Sequence, residues 1–125
     1  MKTCLVVDDS KIVRKVVRRI VENLGFNVIE AEHGVEAIAQ LKANPVDVIL
    51  LDWNMPVMDG LECMQKIRAD ATVDPQPIII FCTTENEFSK IQTAVMAGAN
   101  EYVMKPFDEQ IISGKLQQFG LIAEK

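Results

Sequence analysis

Asp47-Val48-Ile49-Leu50-Leu51-Asp52 is the stretch on which the reading of this chain turns. A run of aliphatic residues with no polar alternation describes a strand covered on both faces, the condition of a central strand in a parallel sheet. It ends on an acid, Asp52. Working outward, Cys4-Leu5-Val6-Val7 is a short strand that meets Asp8-Asp9, and residues 26–31 read as a second strand. Ile78-Ile79-Ile80-Phe81-Cys82 is a fourth, ending at Thr83, and Glu101-Tyr102-Val103-Met104 a fifth, ending at Lys105-Pro106.

The segments between these strands carry helical spacing. Ser10 is a good N-cap, followed by Ile12, Val13, Val16, Val17, Ile20, Val21 and Leu24, with Gly25 as the stop. A second helix is expected over residues 34–43, with Val35, Ile38 and Leu41 inward, a third near 61–69 and a fourth near 87–97, closed by Gly98. The last starts near Asp108, is weakened by Gly114 and fades by Gly120. Five βα units with apolar central strands predict an α/β fold. It is a flavodoxin-like, doubly wound (βα)5 domain, with a five-stranded parallel sheet in the order 2-1-3-4-5 and helices on both faces.

Composition agrees with one domain spanning residues 1–125. Hydrophobic residues make up 49% and charged residues 25%, which excludes disorder. A net charge of −5 argues against nucleic acid as a partner. The apolar runs near 48–51 and 77–81 are strand-length, and Asp8 and Asp9 interrupt any signal-peptide core, so neither export nor a membrane partner is expected. Cys4, Cys63 and Cys82 have no paired spacing and read as reduced core thiols of a cytoplasmic protein.

In an open α/β sheet, ligands bind beyond the carboxyl ends of the strands. Asp8 and Asp9, Asp52, Thr83 and Lys105 arrive there from four separate strands. Three converging carboxylates repel one another, and a hard divalent cation relieves that repulsion; oxygen donors suit Mg²⁺. Asp52 can then attack phosphorus to give an aspartyl phosphate. Mg²⁺ and Lys105 would neutralise the phosphoryl oxygens, while Thr83 donates its hydroxyl to one of them. Helix capping alone, which Asp9-Ser10 could serve, leaves the convergence of five groups unexplained.

Asp8-Asp9, Asp52 with Met55-Pro56 and Asp59-Gly60, Thr83, Gly98-Ala99 and Lys105-Pro106-Phe107 occur together. On these residues the chain resembles the receiver domains of bacterial two-component response regulators, close to the stand-alone chemotaxis type, over essentially its whole length. The resemblance implies that Asp52 is the phosphoacceptor. It implies direct Mg²⁺ ligation by Asp9 and Asp52, with Asp8 acting through water and the backbone carbonyl of Asn54 as a further ligand. Thr83 and Tyr102 would form the switch, and the Lys105-Pro106 bond is often cis in such domains. Asn54 and Glu85 occupy positions that tune dephosphorylation; Thr84 stands where the family usually has a smaller residue and would narrow access to the phosphoryl group.

A histidine kinase or a histidine phosphotransfer protein is thus the expected donor. The downstream protein would bind the face made by the fourth helix, fifth strand and fifth helix. A monomer is expected, with a dimer on phosphorylation as the alternative. Little chain follows Phe107, so no output domain is expected, and the output is either chemotaxis-like or that of a phosphotransfer intermediate. The protein is not expected to be an enzyme beyond self-directed phosphoryl transfer and its reversal by water. A phosphatase of the haloacid-dehalogenase type would need Asp-x-Asp at the first strand, where Asp8-Asp9-Ser10 stands. A flavin or nucleotide binder would need glycines or hydroxyls there.

Three smaller features complete the reading. Lys11, Arg14, Lys15, Arg18 and Arg19 read as a basic, solvated outer side of the first helix, or as a dock for an acidic partner. His33, without a second ligand nearby, reads as a cap or an exposed residue. Met55 and Met58 read as packing beside the site.

Overall fold

Every residue of the strand Val48–Asp52 is buried, and it lies between two other strands. In the computed structural model, which describes residues 1–84, 88–105 and 107–122, it is the third of five. The strands are β1 (Thr3–Val7), β2 (Asn27–Ala31), β3 (Val48–Asp52), β4 (Ile78–Thr83) and β5 (Glu101–Met104). The helices are α1 (Lys11–Asn23), α2 (Gly34–Ala43), α3 (Gly60–Ala69), α4 (Phe88–Met96) and α5 (Glu109–Gln118). All pairings are parallel and the order is β2-β1-β3-β4-β5, as the sequence predicts.

Side chains alternate across the pleat, so each strand feeds two cores. Leu5, Val7, Ile49, Leu51, Ile79 and Phe81 pack with Ala37 and Leu41 of α2, Cys63, Met64 and Ile67 of α3, and Ala94 of α4. Cys4, Val6, Val48, Leu50, Ile80 and Cys82 pack with Val17 and Val21 of α1 and Ile112 and Leu116 of α5. Burying each of the larger aliphatic side chains contributes about 1.5–3 kcal/mol.

Among the described residues, four helices begin on side-chain caps, and a serine or aspartate in that position contributes about 1 kcal/mol. Ser10 Oγ accepts from the Val13 N–H at 3.2 Å, and Asp59 accepts from Glu62 at 2.8 Å. Asp108 accepts from Ile111 at 2.9 Å, and His33 Nδ1 accepts from Glu36 at 3.2 Å, which is the first of the two roles, cap or exposed residue, expected of that histidine. Gly25 follows α1 at φ +94°, a left-handed stop.

Two expectations need correction, those for Val35 and Arg14. On α1, Ile12 and Val16 share the apolar spacing but are 78% and 56% exposed. Val35 is 50% exposed, and α2 instead buries Ala37 and Leu41 with Ile38 partly covered. Arg14, assigned to the solvated basic side of α1, is only 6% exposed. The apolar stripe of α1 is wider than the surface it covers. The helix is turned so that Val17 and Val21 face the sheet, and Arg14 is enclosed against the carboxyl end of β2, where Glu30 neutralises it.

Candidate functional site

The carboxyl ends of β1, β3, β4 and β5 bring together the groups that the sequence singles out. Asp8 and Asp52 are buried, Asp9 is exposed, and one oxygen from each lies within 4.8 Å of the others. Lys105 Nζ donates to Asp8 Oδ2 at 2.7 Å and to Asp52 Oδ1 at 3.1 Å. Asp8 is also fixed locally: its Oδ1 accepts from the Ser10 N–H at 2.9 Å, and its own N–H donates to the Ala31 carbonyl at 3.1 Å.

One ammonium faces three carboxylates, and the electrostatics show it. Burial pushes the Asp52 carboxyl up to about 6, with the charges of Asp8 and Asp9 adding to the effect and Lys105 opposing it. Burial pulls the Lys105 ammonium down, but its bonds with Asp8 and Asp52 outweigh that and leave it above the ordinary lysine value. The donor set is oxygen-only, anionic and closely grouped, which fits a hard divalent cation.

Thr83 is 2% exposed at the end of β4, and its carbonyl accepts from the Lys105 N–H at 2.8 Å, tying the β4 and β5 ends together. Thr84 is exposed and shares an apolar groove with Lys105, Phe107, Ile12, Val13 and Val16. Asn54 is exposed on the loop after β3. Tyr102 is half-buried, packed on the α2–α3 side of the sheet in register with Phe81. Glu85 and Pro106, the latter with its bond to Lys105, lie outside the described residues.

The loop from β3 to α3 is tightly folded. The Met58 N–H donates to the Pro56 carbonyl at 2.7 Å, closing a γ-turn around Val57, whose φ is +71°. For a β-branched residue that is a strained conformation. Gly60 then donates to the Trp53 carbonyl at 2.8 Å. A Cβ at Gly60 would strike the Asp52 carbonyl and the Phe81 ring, so only glycine lets the loop return this closely. Met55 and Met58 pack on the adjoining core, as expected of them. Trp53 is nearly buried and stacks at a tilt on Phe81, ring centroids 5.0 Å apart.

A family model described as the response regulator receiver domain matches residues 4–117. The chain belongs to the receiver family. Among curated receivers, the chemotaxis protein CheY1 of Helicobacter pylori is 44% identical, over 90% of this chain and 92% of that protein. The CheY homolog of Campylobacter jejuni is 45% identical, over 90% of this chain and 88% of its own. Among solved structures, chemotaxis protein CheY4 of Vibrio cholerae superposes with a TM-score of 0.87 at 34% identity, covering 94% of this chain and 98% of that one. This chain is therefore a CheY-like receiver of the two-component type, and its acidic cluster is one that could hold a metal ion.

Two features of this receiver escaped the sequence reading: the left-handed Val57 and the buried Arg14. A β-branched residue after proline carries no local signature of a γ-turn. Arg14 did leave a trace, since it interrupts the apolar stripe of α1 at a position flanked by Val13 and Val17.

Proposed function

We propose that this receiver, acting as a single domain in the cytoplasm, accepts a phosphoryl group on Asp52 from a phosphohistidine of a kinase or phosphotransfer protein, in a Mg²⁺-dependent step. The observation that carries the reading is the convergence of Asp8, Asp9 and Asp52 on one point with Lys105 bonded to two of them. Asp9 and Asp52, with the Asn54 carbonyl and Asp8 through water, would hold Mg²⁺. When bound, the cation supplies positive charge against the phosphoryl oxygens. An Asp52 carboxylate oxygen forms the new P–O bond as the P–N bond of phosphohistidine breaks, and the departing imidazole takes a proton from solvent. Lys105 exchanges carboxylate contacts for a phosphoryl oxygen, and Thr83 donates its hydroxyl to another.

Tyr102, half-buried on β5 against the α2–α3 side core, supports a switch that turns inward with Thr83. Val95 and Met96 on α4 and Ile111 on α5 are exposed, and support protein contact on the α4–β5–α5 face as the output. The output is chemotaxis-like or that of a relay intermediate. The chain acts as a monomer, with dimerisation on phosphorylation the alternative. Water reverses the mark, at a rate tuned by Asn54, Thr84 and Glu85.

Trp53, the neighbour of Asp52, provides the test. Its fluorescence should change on adding Mg²⁺ and again on adding acetyl phosphate, with one phosphoryl group appearing on the protein by mass. Asp52→Asn should abolish the second change and the labelling. Folded protein that neither responds to Mg²⁺ nor labels on Asp52 would refute the proposal.

A further inference from the structure

Beyond the end of β1, the carbonyl of Asp8 has left the sheet and needs a donor from elsewhere. It receives one from Arg14, whose Nη1 donates to it at 2.7 Å. The rest of the guanidinium is held from outside the site. Nε donates to Glu30 Oε1 at 3.1 Å, and Nη2 lies 3.7 Å from Glu32 Oε1. Glu30 is itself gripped from the far side by Arg18 Nη1 at 2.7 Å. The planar fork of arginine makes this possible: its Nε/Nη2 edge meets the carboxylates of Glu30 and Glu32 while Nη1 reaches a single carbonyl.

That carbonyl belongs to the peptide joining Asp8 to Asp9. Its carbon carries the Asp8 backbone on one side and its nitrogen the Asp9 backbone on the other, so the tilt of this one plane sets the starting direction of both side chains. The Asp8 N–H, bonded to Ala31, fixes the other end. We propose that Arg14 is a positioning residue for cation binding. Clamped by Glu30, it orients the Asp8–Asp9 peptide and through it both carboxylates. The inference rests on reading the acidic cluster as a divalent-cation site, and it goes further by making the affinity of that site depend on α1 and β2. Arg14 contacts no carboxylate oxygen of the cluster, so its action is through the backbone.

The test measures the Mg²⁺ dissociation constant by Trp53 fluorescence and calorimetry in the wild type, Arg14→Met, Arg14→Lys and Arg18→Met. Circular dichroism checks that each is folded. Outer-sphere groups that orient ligands typically change metal affinity 10- to 100-fold. Arg14→Met should weaken Mg²⁺ binding at least tenfold, while the rate of labelling by acetyl phosphate at saturating Mg²⁺ changes less than threefold. Arg14→Lys, which keeps one donor toward the carbonyl but loses the fork, should fall between. Arg18→Met removes a comparable ion pair to Glu30 without touching Asp8, and should leave the constant within twofold. If Arg14→Met does not fold, Arg14→Lys decides the question against Arg18→Met. Arg14 variants that bind Mg²⁺ as the wild type does, or an Arg18→Met loss as large as theirs, would overturn the inference and leave the cation site standing. A wild type that does not bind Mg²⁺ would overturn both.

Discussion

At the amino end of the sheet, Arg68 of α3 meets only acceptors. It donates twice to the Gly98 carbonyl at 3.0 and 2.8 Å, and to the Asn100 side chain, Gln76 and the Pro77 carbonyl at 2.8 to 2.9 Å. Asn100 in turn accepts from the Ile79 N–H, so the approach to β4 and the approach to β5 are joined through one cation. At the carboxyl end the ratio is reversed. One ammonium serves Asp8 and Asp52, Asp9 lies close by, and Val57 is held left-handed in the loop beside them. Of these two ends, one closes its polar groups on one another, while the other keeps like charges together and a strained turn beside them. The repulsion retained there is what makes a site answer to a cation and a phosphoryl group.

Substitutions can break or sharpen that contrast. The largest effect tests whether the carboxyl end is loose or crowded. Gly60→Ala should cost about 3 kcal/mol in urea denaturation, because the new methyl meets backbone and a buried ring. A loss under about 1 kcal/mol would mean the loop yields, and the contrast would then be one of packing as well as charge. Arg68→Met comes next, at about 2 kcal/mol, since it leaves carbonyls and an amide without their donor. It should not alter Mg²⁺ affinity, and a change there would show the two ends to be coupled.

Removing a charge at the site should have the opposite sign. The folded-state value of Asp52, about 6, is raised above its ordinary 3.8. Its contribution to stability is therefore present at low pH and lost as pH rises through about 6. In metal-free buffer at pH 7.5, Asp52→Asn should be more stable than the wild type by on the order of 1 kcal/mol, allowing for screening by the open crevice. Melting curves should show the gap closing as pH falls toward 4. Equal stability at both pH values would remove the electrostatic half of the comparison. The smallest effect belongs to Val57→Gly. Relief of the left-handed strain less the entropy of glycine should give a gain of about 0.5 kcal/mol; a loss would mean that the turn is not strained.

The architecture was legible because its signals are local and redundant. The unbroken aliphatic run at Val48–Leu51 demands cover on both faces, and Ser10 and Gly25 bracket α1 within a few residues of sequence. The grouping of Asp8, Asp9, Asp52 and Lys105 followed from topology, since every parallel strand delivers its last residue to the same edge. Rotation of a helix about its own axis is a different matter. Six apolar positions on α1 allow several angles, and the choice rests on Glu30, a residue of β2 that pairs with Arg14. The same holds for Val35, whose exposure depends on where α2 lies over β2 and β1. The γ-turn at Val57 is imposed from outside by the return of Gly60 onto β3 and has no cause in the three residues that form it.

The three cysteines give the fold a built-in clock. Cys63 sits in the α2–α3 layer, Cys4 and Cys82 in the α1–α5 layer, and none is exposed above 5%. Burial pushes the Cys63 and Cys82 thiols up to about 12 and raises Cys4 further still. Since the thiolate is the reactive form, a disulfide reagent finds almost nothing to attack in the closed protein. Each sulfur reacts only when its own layer parts, so the order in which the three become labelled records which side of the sheet opens first, and how often.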